Sequence, residues 1–182
     1  RLQFEARKVV LDDLLALRMS ETKLRSDTRV SALIDSDIAA DGMPETISGT
    51  VFAEGGTIGS PEEPESQIPI TNAEFGIDWN AQRRTLRVPF KVTAGSARYT
   101  LRAEFGAPAQ PGGNWIFAVG GGWVVLDPVK PDEEGMVLKR VVMRGNIDPG
   151  QQRITLEQGD LGTKEPGVAA GEGVTVALSG RL

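Results

Sequence analysis

The sequence predicts a mostly β fold: an antiparallel meander of amphipathic strands forming a curved β-groove or open sandwich, with one short helix near the N-terminus. Three observations carry that prediction. Apolar and polar residues alternate with a period of two through most of the chain, which sends the two sets to opposite faces of a pleated strand. Turn formers are frequent, 22 Gly and 11 Pro in 182 residues, and they favour short segments over long helices. Helical spacing shows in one stretch, beginning at Leu11.

The opening strand is read from Leu2, Phe4 and Ala6 alternating with Gln3, Glu5 and Arg7. The helix follows: apolar residues at 11, 14, 15 and 17, with Asp12 and Asp13 at its front and Arg18 at its back, suit about two turns. A lone amphipathic helix on a sheet protein is expected to lie as a lid over one end of the core. Residues 29 to 38 and 47 to 53 give two more strands around the Asp41-Gly42 turn. The run from Ser60 to Ser66, with two prolines and three glutamates, cannot join a central ladder and is a solvated loop.

The clearest alternation runs from Phe75 to Phe105. Phe75, Ile77 and Trp79 form one strand's apolar set, Leu86, Val88, Phe90 and Val92 the next, and Tyr99, Leu101, Ala103 and Phe105 a third. Trp115, Phe117 and Val119 resume the pattern after a Pro/Gly loop, and Trp123 to Leu126 follow three glycines. A strand over 137–147, a turn at Asp148-Pro149-Gly150 and a return over 154–156 come next. Residues 159 to 173 read as irregular, and Val174, Val176 and Leu178 as a last strand.

One internal echo suggests repetition. Ile77-Asp78, Gln82-Arg83 and Thr85-Leu86 recur as Ile147-Asp148, Gln152-Arg153 and Thr155-Leu156, each offset by 70 residues. A fixed period is the mark of stacked units covering one another's cores. The whole chain, 1–182, is therefore read as a single segment of a larger β-repeat protein, with 74–105 echoed by 144–182.

Composition removes much chemistry. With no Cys and no His, disulfides, thiolate metal sites, cysteine nucleophiles and Ser-His-Asp triads are excluded within the chain. A net charge of -5 and the lack of a dense Lys/Arg cluster argue against nucleic acid as a partner. No apolar run reaches the length of about 18 residues that a membrane helix requires.

The remaining constellations have plain readings. Gly120 to Gly122 lack a following Lys-Ser/Thr and a helix, so they read as a bulge or a flexible bend in the sheet, not a phosphate loop. Asp35, Asp37 and Asp41 miss calcium-loop spacing and read as a solvated turn. Glu62, Glu63 and Glu65, like Asp132, Glu133 and Glu134, are charged loops without an aromatic platform. Trp79 and Trp115 share the apolar parity of their strands and are assigned to core or groove lining. The apolar face itself admits two forms, a sealed sandwich core or an open curved sheet offered to an apolar ligand.

At the level of motifs, the chain resembles the AsmA-like superfamily of Gram-negative envelope proteins, in the part akin to the YhdP-type and TamB-type bridging proteins. The residues carrying the likeness are the strand with Phe4-Glu5-Ala6 leading to Val10-Leu11-Asp12-Asp13-Leu14-Leu15, the hairpins at Gly76-Ile77-Asp78 and Gly145-Asn146-Ile147-Asp148, and the ending Val176-Ala177-Leu178-Ser179-Gly180-Arg181-Leu182. The resemblance implies a periplasmic β-groove, tethered to the inner membrane by other parts of the protein, that shields lipid acyl chains. On that reading Ile77, Leu86, Val88, Phe90, Tyr99, Leu101, Trp115 and Phe117 line a concave face. Lipid acyl chains are the expected partner, and no catalytic residue, metal or cofactor is expected. The alternative is a closed β-sandwich adhesion or carbohydrate-binding module.

Overall fold

A computed structural model describes residues 1–16, 25–128, 132–151, 153–163, 175–177 and 180–181. The expected helix end at Leu17 and Arg18, and Val174 and Leu178 of the expected last strand, lie outside these residues.

The described chain is built almost wholly of strands: β1 (Leu2–Val10), β2 (Arg25–Ser26), β3 (Arg29–Ile38), β4 (Pro44–Gly59), β5 (Ile68–Asn80), β6 (Thr85–Ala94), β7 (Ala97–Gly106), β8 (Trp115–Leu126), β9 (Met136–Leu138), β10 (Arg140–Asp148), β11 (Arg153–Gly162), β12 (Thr175–Ala177) and β13 (Gly180–Arg181). They form a single sheet in the order β1-β3-β4-β5-β6-β7-β8-β10-β11-β12, with β2 on β4, β9 on β8 and β13 on β11. All its pairings are antiparallel. The sheet is open; its two ends do not meet to close a barrel.

The period-two pattern becomes rows of apolar side chains across the sheet. One row runs Ile47, Trp79, Leu86, Phe105, Phe117, Gly145, Leu156 over β4 to β11. Another runs Val30, Ala53, Ala73, Val92, Tyr99, Val124, Leu138. Register is set by this pattern, because a one-residue slip would carry every apolar side chain to the opposite face.

The one α-helix among the described residues, α1 (Leu11–Ala16), caps one end of that face. Leu11 packs against the cluster of Val30, Ala53 and Ala73. Its N–H donates to the Thr28 carbonyl at 2.9 Å, and the Asp12 carboxylate accepts the Ser26 N–H at 3.0 Å. A second cluster of Leu101, Val124 and Val141 gathers Phe90, Tyr99, Val119 and Met143 around it.

Three elements differ from the sequence reading. The strand expected over 137–147 breaks at Lys139, whose N–H turns to the Gly162 carbonyl at 3.0 Å. β11 extends through Gly159 to Gly162, where irregular chain was expected, because β10 supplies a ladder partner for each glycine. β4 runs from Pro44 to Gly59, past the 47–53 expected, and continues through Gly55 and Gly56. Gly56 lies against the Thr28 backbone, and a Cβ on it would come within 2.6 Å of the Thr28 Cα. The two echoed segments are both hairpins, closing at Asn80↔Thr85 and Asp148↔Arg153.

Candidate functional site: the apolar face of the sheet

All eight residues assigned to the groove stand on one face, as their register partners show. Leu86 faces Phe105, Val88 faces Ala103, Phe90 faces Leu101, and Tyr99 faces Val124. Trp115 lies opposite Ile147 and Phe117 opposite Gly145, while Ile77 lies opposite Gly49. Leu101 is buried at 7% exposure; the other seven are half-buried. Among the described residues no large side chain falls below 2% exposure. The face is lined and partly shielded by its own side chains, without a sealed centre.

Aromatic contacts describe its curvature. Phe75 and Phe90, paired on neighbouring strands, stack at 6.0 Å. Trp79 on β5 and Trp115 on β8 approach to 6.4 Å between ring centroids. Their strands are three steps apart, about 14 Å on a flat sheet. The indoles meet because they lean together over Leu86 and Phe105 and the sheet curls toward its apolar side. Gly145 belongs to the same arrangement. A Cβ there would lie 2.8 and 2.9 Å from two Phe117 ring atoms, so the bare glycine lets that ring lie across β10.

Sequence reasoning left out Phe105, Val141 and Met143, which belong to the same face by register or by packing. Phe105 sits in the same alternation as Tyr99 and Leu101, so the signal was present. Leu2 and Phe4 also lie on this face, at 61% and 55% exposure, where the open edge leaves them uncovered.

The glycine triplet is a β-bulge. Arg102 pairs with Gly120 and Thr100 with Trp123, so Gly121 and Gly122 together oppose Leu101. The extra residue shifts the parity of β8. Trp115, Phe117 and Val119 face inward before it, Val124 and Leu126 after it, and Trp123 is turned outward.

The outer face is mainly charged and paired. Arg87 meets Glu104 at 3.2 Å, Arg98 meets Asp127 at 2.8 Å and Arg140 meets Asp160 at 3.1 Å. Leu33, Phe52, Ile116 and Trp123 are exposed there, so the alternation is less strict outside than inside.

The acidic positions have structural partners. Asp35 pairs with Arg1 at 3.2 Å, Asp37 accepts the Thr46 hydroxyl at 3.0 Å, and Asp41 accepts the Met43 N–H at 3.0 Å. Among the described residues no group of three or more ligating side chains could hold a metal ion. Asp27 accepts both the backbone N–H of Thr57, at 2.6 Å, and its hydroxyl, at 3.1 Å. These two hydrogen bonds hold its carboxyl below the usual carboxylate range. No helix of the described residues is long and apolar enough to cross a membrane. Comparison with protein-family models, with curated proteins and with solved structures finds no match for this chain.

Proposed function

We propose that this chain is a non-enzymatic, lipid-carrying segment of a periplasmic AsmA-like protein, whose curved apolar face shields phospholipid acyl chains between the inner and outer membranes. In the full-length protein other parts supply the tether to the inner membrane. The observation that carries this reading is the unbroken set of apolar rows on the concave side of an open sheet. The row from Ile47 to Leu156 crosses seven strands. Six spacings of about 4.8 Å make roughly 29 Å of apolar contour, about twice the hydrocarbon depth of one membrane leaflet.

The mechanism is passive. Each methylene moved from water onto the face gains about 0.8 kcal/mol. Ile77, Val88, Phe90 and Phe117 offer van der Waals contact without a polar group that would demand a hydrogen bond. Neighbouring segments of similar section would let chains slide along a trough instead of crossing water. The charged outer face keeps such a sheet soluble.

The carbohydrate-module alternative requires an exposed aromatic platform. Trp79 and Trp115 are half-buried on the inner face and occupied with each other, and the exposed Trp123 is one ring and not a platform, which favours the lipid reading.

Photo-crosslinking tests the proposal. A benzoylphenylalanine at Val88 or Phe117 should capture phospholipid in cells, identified by mass spectrometry of the adduct, while the same group at Arg87 or Glu104 should not. Equal capture from both faces, or capture from neither, removes the proposal's basis.

A further inference from the structure

We propose that the sheet is hinged along the β5–β6 seam, and that the Trp79–Trp115 contact is a latch holding the apolar trough closed over Leu86 and Phe105. The hinge itself stands on backbone geometry; its use as an entry for acyl chains rests on the lipid reading. The register of β5 on β6 is the same before and after one gap. Phe75 pairs with Phe90 and Asp78 with Arg87, but Gly76 and Ile77 form no pair with Pro89 and Val88. On its other side β6 keeps its ladder, with Val88↔Ala103 and Pro89↔Arg102. β5 likewise keeps Gly76↔Thr50 and Ile77↔Gly49 with β4. The interruption belongs to the seam between them.

The cause is chemical. Proline has no N–H to give to a ladder and is ordinarily kept out of a sheet's interior strands. Pro89 stands in the middle of one, opposite Gly76. A Cβ on Gly76 would lie 2.8 Å from the proline Cγ, so the bare glycine admits the ring and offers no side chain to lock it. Over the gap, on the outer face, lies a concavity of about 250 Å³ lined in part by Thr50, Glu74, Lys91 and Thr100. Uncurling the trough compresses that outer side, and the concavity is where the compression can be taken up.

Packing divides at the same seam. The buried centre of one half is Val30, Ala53 and Ala73 on β3 to β5; that of the other is Leu101, Val124 and Val141 on β7 to β10. β6 lends Val92 to the first and Phe90 to the second. Among the described residues two aromatic contacts join the halves: Phe75 on Phe90 at 6.0 Å, and Trp79 on Trp115 at 6.4 Å. The phenylalanines sit beside the gap, on the axis, and stay together when the halves turn. The indoles reach over β6 and β7, so any uncurling parts them. Two packed halves, an interrupted seam and one separable contact are the parts of a hinge.

The chain has no cysteine, so paired spin labels on introduced cysteines read the motion directly. One row of four ladder steps joins Gln3 to Arg87 through Asp35, Ser48 and Asp78. Another row of four joins Arg87 to Gln158 through Glu104, Ala118 and Arg144. Each spans about 19 Å of sheet, but the first crosses the seam and the second does not. In lipid-free protein the Gln3→Cys/Arg87→Cys pair should give a distance distribution about twice as broad as the Arg87→Cys/Gln158→Cys pair. Pro89→Val, which restores an N–H, should narrow the first to the width of the second; Pro89→Ala serves if valine prevents folding. Trp79→Ala should move the first distribution outward by roughly one strand spacing, about 5 Å, and leave the second in place. Equal widths, a breadth that survives the Pro89 substitution, or no outward shift in Trp79→Ala overturns the proposal. Because no lipid is present, a hinge that passes while crosslinking at Val88 and Phe117 captures nothing stands without the lipid reading, and the reverse result removes the hinge alone.

Discussion

Replacing Gly145 with alanine tests the geometry of the apolar face at one atom. The new Cβ would stand 2.8 and 2.9 Å from two Phe117 ring carbons and would also meet the Thr155 carbonyl oxygen. Ordinary carbon contacts lie near 3.5 to 4.0 Å, so both neighbours must give way. Phe117 can rotate off its position. Thr155 cannot, because it is held between the pairs Asn146↔Thr155 and Gly145↔Leu156. Overpacking of this kind costs about 1–3 kcal/mol. For a chain of this size each kcal/mol corresponds to about 2–4 °C in Tm, so a fall of roughly 2–12 °C is expected. Urea denaturation followed by circular dichroism, in a cycle with Phe117→Ala, divides the effect. The double variant should be less destabilised than the sum of the singles by about 1 kcal/mol, the share owed to the ring. The Thr155 share should remain. A Gly145→Ala protein within about 0.5 kcal/mol of the parent would mean that Phe117 does not lie across β10, and the concave row would be broken there.

Other expectations follow from burial and charge. Leu101→Ala, at a buried position between Val124 and Val141, should cost about 2–4 kcal/mol, whereas Phe4→Ala at the open edge should cost less than about 1 kcal/mol; equal costs in chemical denaturation would contradict an open face. A double-mutant cycle on Arg87 and Glu104, both near half exposure, should give a coupling under about 1 kcal/mol that disappears at high salt. For Asp27, folding lowers the carboxyl's pKa from its ordinary value of 3.8. Its contribution is therefore present above that value and is lost as pH falls through the lower folded value. Asp27→Asn should destabilise by a constant amount from pH 7 to 5, and the gap should close below about pH 4; a gap that persists in acid would exclude this origin.

The fold was legible where two-residue periodicity was clean. Phe75 to Phe105 alternates without a break, and the strands, their faces and the groove residues from Ile77 to Leu101 all stand where that alternation puts them. Strand lengths were less legible. β11 continues through Gly159 and Gly162 because β10 offers a ladder there, a property of the partner strand and not of the glycines. The glycines at 120 to 122 were readable as a bulge or a flexible bend, and the ladder shows the bulge. Its consequence was not legible, since the side on which Trp123 emerges depends on counting register against Thr100 and Arg102. The meeting of Trp79 and Trp115 was likewise hidden, because it arises from the curl of four strands and no local pattern records curl.

The same bulge explains how one chain can present two apolar surfaces without confusing them. Before Gly120, odd-numbered positions of β8 look inward; after Gly122, even-numbered ones do. Trp123 and Val125 are thereby removed from the trough, which keeps Val124 and Leu126 in register with Tyr99 and Ala97. The inner surface is continuous at the cost of exposing an indole outside. It also remains uncovered. The chain exposes 12507 Å², where a closed monomer of 19.5 kDa exposes about 8,500 Å². A sheet whose strands cover one another only edge to edge has one layer where stable domains have two. On the lipid reading, acyl chains are the second layer. Such a ligand must stabilise the fold it completes, by about 2.7 kcal/mol at a hundred times its Kd, whereas a face already sealed by its own side chains would gain nothing from it.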